Sequence, residues 1–126
     1  MDYRTPTSRA LGLGSAGSGA HEWWVTRVES AALVPLGLLF VFPFASALGE
    51  GPVAVREIYG NWFNAIVAVL FLAVGFHHIM LGLKSVIDDY VHHKGWLTAL
   101  LLANAMFCGL FGVAGIFAVL KIALLA

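Results

Sequence analysis

Three long runs of apolar residues dominate the pattern along the chain. They cover residues 30–48, 61–87 and about 96–125, and short polar or mixed segments separate them. About 20 helical residues cross a hydrocarbon core of about 30 Å, and each run approaches or exceeds that length. The runs lack the strict alternation of barrel strands, so helices are the predicted structure. The pattern therefore predicts an all-α membrane protein with three transmembrane helices.

The flanking segments complete the predicted organisation. We expect residues 1–29 to form a cytoplasmic N-terminal tail and residues 30–126 to form the three-helix transmembrane domain. The tail has a Gly/Ser-rich segment at residues 11–20 and no apolar core of signal-peptide type, so it is expected to be flexible and retained. The linkers, residues 49–60 and 88–95, are short, which predicts antiparallel neighbouring spans. Pro35 and Pro43 lie inside the first run, where neighbouring helices can satisfy the freed carbonyls.

Composition supports the membrane assignment and excludes several classes of protein. Of the 126 residues, 60% are hydrophobic and 11% are charged, whereas soluble domains carry about 25% charged residues. The formal net charge is zero, so no nucleic-acid partner is indicated. The single cysteine, Cys108, lies in an apolar run and can form neither an intrachain disulfide nor a cysteine metal cluster. We interpret it as a small core or lipid-facing residue.

The distribution of basic residues predicts the orientation in the membrane. Most basic residues lie on the membrane side that holds the N-terminal segment and the second linker. The opposite side holds only two basic residues, Arg56 and Lys121. The positive-inside rule then places the N-terminus in the cytoplasm and the C-terminus in the periplasm of a bacterial inner membrane. Aromatic belts are expected at both interfaces. The basic residues of the first side are Arg4, Arg9, Arg27 and Lys94, with Lys84 one turn below the second linker. The belt residues are Trp23, Trp24 and Trp96 on that side and Tyr59 and Trp62 on the other.

A stripe of small and polar residues runs along the second predicted helix. Its members are Gly75, His78, Gly82, Ser85 and Asp89, at spacings of 3, 4, 3 and 4. This spacing places all five on one helix face. Glycines one turn to either side of the imidazole leave space for a close helix approach or for a flat ligand. The stripe therefore predicts a face that packs against helices or a cofactor, and not against lipid.

His78 is the candidate ligand of this stripe, with an alternative left open. A neutral imidazole nitrogen is a standard axial ligand of haem iron. The alternative is a histidine that only forms a hydrogen bond between helices, without a cofactor. His77 points about 100° away, towards Leu81, Lys84 and Asp88, and is interpreted as a packing or propionate-side partner. Lys84 and Asp88 can pair at i,i+4.

Other polar residues of the spans and loops have weaker signals. Tyr90 follows Asp89 at the membrane interface, where its hydroxyl could donate to a quinone carbonyl or simply belong to the aromatic belt. His92 and His93 are interpreted as exposed loop residues or as part of a docking surface. In the third span, glycines at positions 109, 112 and 115 suit helix packing, and Asn104 could bond across helices.

Two segments resemble a known family. The segment HIMLGLKSVIDDYV, residues 78–91, resembles the second membrane helix of the small cytochrome b anchor subunit of succinate dehydrogenase, respiratory complex II. The matching pattern is a His, a Gly four residues later and an Asp-Tyr pair: His78, Gly82, Asp89 and Tyr90. Residues 17–33, GSGAHEWWVTRVESAAL, are similar to the same family's approach to its first span, with His21, Glu22 and Arg27 in the matching places. Asp88 and His77 depart from the family pattern.

The resemblance implies a specific role for the chain. It implies a non-catalytic, non-flavin subunit of succinate dehydrogenase (quinone), which takes part in the tricarboxylic acid cycle and respiratory chain. Its partners would be a second cytochrome b anchor subunit that supplies the other haem ligand, an iron–sulfur subunit and a flavoprotein subunit, with membrane lipid around them. The chain would be half of a heterodimeric haem-binding helix bundle that holds haem b and ubiquinone.

The resemblance also implies roles for single residues. His78 would be the axial ligand of the haem iron, with Gly75 and Gly82 packed against the haem. Tyr90, supported by Asp89, would bind the quinone, and Arg27 would lie near the haem propionates and the quinone pocket. Two alternatives remain: the anchor of a fumarate reductase, and a small three-span transporter or assembly protein without haem.

Overall fold

The computed structural model describes residues 5–11 and 16–125, and within these residues it forms five helices and no strand. The helices, in chain order, are α1 Pro6–Leu11, α2 Ala16–Ala47, α3 Gly51–Gly60, α4 Trp62–Tyr90 and α5 Lys94–Leu125. Three of them contain segments long and apolar enough to cross a membrane: Gly19–Ala47, Trp62–Tyr90 and Lys94–Leu125. The all-α fold with three spanning helices is thus confirmed.

The first spanning helix begins earlier than the hydropathy pattern predicts. Helix α2 starts at Ala16, before the expected start at residue 30, so residues 16–29 are helical where a flexible tail was expected. Residues 12–15 of the Gly/Ser-rich segment, Arg4, and the side chain of Arg9 lie outside what the structure describes. Hydropathy failed here because Glu22 and Arg27 interrupt the apolar run without interrupting the helix. Pro35 and Pro43 lie inside α2, as predicted.

The linker between the first two spans contains a short helix that the sequence pattern did not predict. Gly49 lies between α2 and α3, and Gly51 is the first residue of α3; they adopt φ values of +86° and +83°, a region that favours glycine. Asn61 then caps α4, because its Oδ1 accepts a hydrogen bond from the Phe63 N–H at 2.9 Å. The linker between α4 and α5 is only residues 91–93.

Tyr59 lies elsewhere than expected. It is 7% exposed and belongs to a small core with Ala47 and Ala68, whereas Trp62, its predicted companion in the outer aromatic belt, is 68% exposed. The Tyr59 hydroxyl is buried without a hydrogen-bond partner, and burial raises the pKa of this phenol. Tyr59 is a residue of α3 and therefore packs that short helix inside the protein, at one end of the bundle.

Helix α4 lies in the middle of the bundle. It packs against α2 on one side and α5 on the other, and among the described residues the backbones of α2 and α5 do not approach each other closely. Small residues allow the close approach: a Cβ on Gly112 would lie 3.3 Å from Cβ of Phe76, and one on Gly115 would lie 3.3 Å from Cδ1 of Leu72. The predicted packing role of the third-span glycines is confirmed at these two positions.

The side-by-side arrangement makes successive spans antiparallel, as predicted. Asn104 of α5 donates from Nδ2 to the carbonyl of Met80 on α4 at 2.9 Å, so its predicted bond across helices is confirmed. Cys108 is buried beside it, and its thiol lies 3.5 Å from Asn104 Oδ1. Contacts between the helices are few, and many large apolar side chains on all three spans stay exposed. Such surface suits lipid or a partner membrane subunit.

Candidate functional site

The adjacent histidines of α4 meet a carboxylate from α2. Nδ1 of His77 lies 2.5 Å from Oε1 of Glu29, at hydrogen-bond geometry. Nδ1 of His78 lies 3.5 Å from the other oxygen, Oε2. Glu29 is only 14% exposed at its side chain, compared with 47% for His77 and 31% for His78. One carboxylate of the first span therefore faces two imidazoles of the second.

The two contacts of Glu29 differ in quality. The contact with His78 is within ion-pair distance but lacks hydrogen-bond geometry, so Glu29 Oε2 and His78 Nδ1 are both buried atoms without a hydrogen-bond partner. Two such atoms facing each other at 3.5 Å need only a small side-chain rotation to form a bond.

A second pair joins the same helices two turns away. Nζ of Lys84 lies 2.8 Å from Oε2 of Glu22 and 3.9 Å from Oδ2 of Asp88. The contact with Asp88 matches the predicted i,i+4 pair, and the shorter contact with Glu22 was not anticipated. Glu22 and Glu29 are seven residues apart on α2, and Lys84 and His77 are seven apart on α4. These matched intervals show that the two helices run antiparallel in register along a polar seam.

A cleft of about 460 Å³ opens beside this seam. It brings together three polar residues predicted from the sequence: Arg27, His78 and Ser85. The guanidinium of Arg27 lies 5.3 Å from the ring centroid of Trp23, within range of a cation–π contact. The cleft is lined by Gly19, Glu22, Trp23, Thr26, Arg27, Ser30, His78, Leu81 and Ser85.

His77 lies at a different groove from His78. It lines an apolar cavity of about 200 Å³ between α4 and α5, with Met80, Cys108 and Gly112 among its neighbours. The two adjacent imidazoles thus face different helix interfaces, although their Nδ1 atoms converge on Glu29. The prediction placed His77 off the stripe of His78, and the two grooves agree with that difference.

The two predicted packing glycines have different surroundings. A Cβ on Gly75 would lie 3.9 Å from Cδ2 of Leu33, so this glycine faces α2 at ordinary contact distance. A Cβ on Gly82 would meet nothing within 4 Å. Open space beside the stripe thus lies on the Gly82 side of His78.

Asp89 and Tyr90 lie apart from the cleft. They form the exposed end of α4, with Tyr90 79% exposed, and neither lines the cleft of His78. Twelve residues at about 1.5 Å per residue separate Tyr90 from His78 by roughly 18 Å along the helix. Beyond them, His92 and His93 are exposed loop residues, as predicted, and Nδ1 of His93 lies 3.5 Å from the Trp96 amide nitrogen.

The side chains around His78 fit an axial haem ligand. Histidine ligands usually direct one ring nitrogen to a carboxylate or carbonyl and bind the metal with the other. Nδ1 of His78 faces Glu29, and Nε2 forms no hydrogen bond with the described residues. Arg27 supplies a positive charge in the same cleft and forms no ion pair with the described residues. If a haem binds here, this donor set would offer it one axial nitrogen, and one cation suited to a carboxylate group of the ligand.

Sequence reasoning missed Glu29, because hydropathy places the start of the first span one residue later, at Ser30. The signal was present as a polar stripe on α2: Glu22, Thr26 and Glu29 recur at intervals of four and three residues. That interval places them on one helix face, which is the face that meets α4.

The fold and this seam define an all-α, multi-pass membrane protein with a cluster of ionisable side chains between its first two spans. The cluster contains Glu22, Glu29, His77, His78 and Lys84. Within that class the chain belongs to the succinate dehydrogenase/fumarate reductase transmembrane subunit family, whose sequence profile matches residues 1–122.

Curated relatives agree with the family assignment. The chain is 38% identical over 90 residues to the succinate dehydrogenase hydrophobic membrane anchor subunit of Paracoccus denitrificans, covering 71% of this chain and 70% of the relative. It is 31% identical over 119 residues to the subunit of the same name from Rickettsia bellii, covering 94% of each chain. The Rickettsia conorii subunit is 25% identical over 108 residues, or 85% of this chain and 86% of the relative. No solved structure matches the chain.

Proposed function

We propose that this chain is the membrane-anchor subunit of a succinate:ubiquinone oxidoreductase and that it helps to bind haem b and ubiquinone. The observation that carries the proposal is the cleft in which His78 and Arg27 lie together, with Glu29 behind the imidazole. An ionisable group within a membrane span is costly and is a functional candidate by default. The family membership and the names of the curated relatives support the anchor role.

In this proposal, His78 supplies one axial nitrogen to the haem iron, which when bound provides a one-electron redox centre. Glu29 holds the opposite side of the imidazole, and Arg27 offers its charge to the haem propionates or to the quinone pocket. Gly82 leaves open space one turn from His78, whereas Gly75 contacts Leu33 of α2. The second axial ligand would come from a second cytochrome b anchor subunit, which would cover part of the exposed apolar surface.

The quinone would lie at the other end of the stripe. Tyr90 presents an exposed hydroxyl at the end of α4, where it can donate to a quinone carbonyl, and Asp89 precedes it. The separation of roughly 18 Å along the helix keeps this hydroxyl distinct from the cleft of His78. Protons for the quinone would arrive from the cytoplasmic side, past Asp89 and His92.

The remaining partners follow from the proposed orientation. With the N-terminus in the cytoplasm and the C-terminus in the periplasm of a bacterial inner membrane, the loop of residues 91–93 and the start of α2 face the cytoplasm. The iron–sulfur and flavoprotein subunits would dock there, because succinate oxidation needs a flavin and clusters that this chain has no motif to bind. The chain is then a part of the enzyme and has no catalytic role alone.

A difference spectrum of the purified complex tests this proposal. We expect b-type absorption in the reduced-minus-oxidised spectrum, and we expect His78→Ala to diminish or shift it strongly. His77→Ala is the matched control, since this imidazole is adjacent and contacts the same carboxylate but lies at the other groove. Absence of b-type absorption in the unaltered complex would refute the haem assignment. If His77→Ala alone removed it, His78 would be the wrong ligand.

The family also includes fumarate reductase subunits, which makes that enzyme the second candidate. Relative rates of succinate oxidation and fumarate reduction by the purified complex, with quinones of different potential, distinguish the two. A three-span transporter or assembly protein would instead purify without a flavoprotein, an iron–sulfur protein or haem.

A further inference from the structure

We propose that Glu29 is a positioning residue for His78: it fixes which imidazole nitrogen faces the cleft, and it shares its carboxylate with His77. The inference deepens the proposed function and depends on it. It rests on the convergence of the Nδ1 atoms of both histidines on the two oxygens of one side chain, at 2.5 and 3.5 Å.

The chemistry of the three groups determines what the contact does. An ionised carboxylate only accepts hydrogen bonds, so an imidazole that bonds to it carries its proton on the nitrogen that faces it. For His78 that nitrogen is Nδ1, which leaves the Nε2 lone pair directed away from Glu29. A hydrogen bond between Glu29 Oε2 and His78 Nδ1 would therefore select the tautomer of His78 in which Nε2 can bind a metal.

The same contact affects the electron density of the ring. A carboxylate that accepts from a ligating histidine raises the basicity of the other nitrogen, and loss of such a partner typically costs about 10–100-fold in metal affinity or activity. A more basic ligand stabilises the more highly charged, oxidised iron. Glu29 would thus lower the midpoint potential of a haem bound to His78.

His77 limits this effect because it competes for the same carboxylate. It makes the shorter contact, 2.5 Å to Oε1, while Oε2 and His78 Nδ1 stay 3.5 Å apart and without another partner. A carboxylate drawn towards His77 is held back from His78. Removing the His77 imidazole should therefore strengthen the contact of Glu29 with His78.

The midpoint potential of the haem should shift in opposite directions in two variants. For Glu29→Ala, we expect the equilibrium between oxidised and reduced haem to shift about tenfold towards the reduced form. That is a rise of about 59 mV for a one-electron couple. For His77→Leu, we expect a fall. The assay is a potentiometric titration of the b-type absorption in the whole purified complex, with haem content per complex as a second readout.

Two further variants separate positioning from loss of charge. Glu22→Ala removes an equal charge from the same face of α2, but Glu22 pairs with Lys84 and contacts neither histidine, so its shift should be less than half as large. Glu29→Gln keeps one acceptor oxygen at the same length, so it should restore part of the unaltered potential. Equal shifts for Glu29→Ala and Glu22→Ala, or no shift with His77→Leu, would overturn the inference.

The measurements on these variants also distinguish failure of the positioning role from failure of the proposed function. If the unaltered complex lacks haem, the proposed function fails first. If His78→Ala removes the b-type signal and both Glu29 variants leave the potential unchanged, the haem assignment stands and the positioning role fails. If Glu29→Ala prevents assembly, Glu29→Gln and His77→Leu still decide, because the proposal requires each to shift the potential in its stated direction.

Discussion

Three glycines of α5 differ in the space that a side chain would find, and this difference allows a ranked stability prediction. A Cβ on Gly112 would lie 3.3 Å from Cβ and 3.4 Å from Cγ of Phe76. The Cβ atom of Phe76 is fixed to the α4 backbone, so it cannot rotate away. Gly112→Ala therefore forces α4 and α5 apart by a few tenths of an ångström, and the neighbouring contacts along both helices are lost with it.

The other two glycines provide graded controls in the same helix. At Gly115 the nearest atom is Cδ1 of Leu72, also at 3.3 Å, but it is the terminal methyl of a flexible side chain and can move. At Gly109 a Cβ would meet nothing within 4 Å. The three substitutions to alanine thus add the same methyl group to one helix, against a fixed atom, a movable atom and open space.

The magnitudes separate backbone from packing effects. Replacing a mid-helix glycine with alanine gains roughly 0.5–1 kcal/mol from the backbone, and this gain is common to all three sites. Overpacking a tight contact costs about 1–3 kcal/mol. We therefore expect Gly112→Ala to be about 1–2 kcal/mol less stable than Gly109→Ala, which serves as the reference. Gly115→Ala should lie within about 0.5 kcal/mol of that reference.

The free energy of unfolding can be measured by SDS titration in mixed micelles, followed by far-UV circular dichroism. The order of stability should be Gly109→Ala, then Gly115→Ala, then Gly112→Ala. Equal values for Gly112→Ala and Gly109→Ala would show that α4 and α5 do not pack at this distance, and that result would refute the reasoning.

Three further predictions follow from single side chains. Asn104→Ala removes the hydrogen bond to the Met80 carbonyl and should cost about 0.6 kcal/mol, with about 1.7 kcal/mol as the upper value, in the same SDS titration; an unchanged stability would contradict the bond. Tyr59→Phe removes a buried hydroxyl that has no partner, so the free energy of unfolding should stay equal or rise; a loss above about 1 kcal/mol would reveal a partner for it. Tyr90→Phe should slow quinone reduction while succinate oxidation by an artificial acceptor stays unchanged; unaltered quinone kinetics would exclude Tyr90 from the quinone site.

The elements that the sequence predicts well are those set by local pattern. Three apolar runs of spanning length predict α2, α4 and α5, because hydrocarbon admits little else than helices. The small residues of the third span and Asn104 predict contacts between helices, and the structure shows both. The ends of the helices are predicted less well, since a hydropathy run stops at the first charged residue and a helix does not. This is why hydropathy places the start of the first span at residue 30, whereas α2 begins at Ala16.

The candidate site is predicted in part for the same reason. A 3-4 spacing places His78, Gly82 and Ser85 on one face of α4, and this needs only the period of a helix. The contact with Glu29 depends on the rotation and depth of α2 relative to α4, which no local period specifies. The sequence likewise predicts Tyr59 to be an interfacial aromatic residue. In the structure it is buried, because α3 packs it into the core.

The presence of His77 and His78 reduces the energetic cost of the buried Glu29 carboxylate. A charged side chain at the centre of a membrane helix costs roughly 2.5–3.5 kcal/mol on the insertion scale, and a buried unpaired polar group carries its own penalty. Glu29 is nearly enclosed, so its two oxygens need donors from within the bundle. His77 contacts Oε1 at 2.5 Å, and His78 Nδ1 lies 3.5 Å from Oε2, where neither atom has a hydrogen-bond partner among the described residues. The doubled histidine therefore places one imidazole near each oxygen of the glutamate, and the departure of His77 from the family pattern has a physical reason in Glu29 on the facing helix.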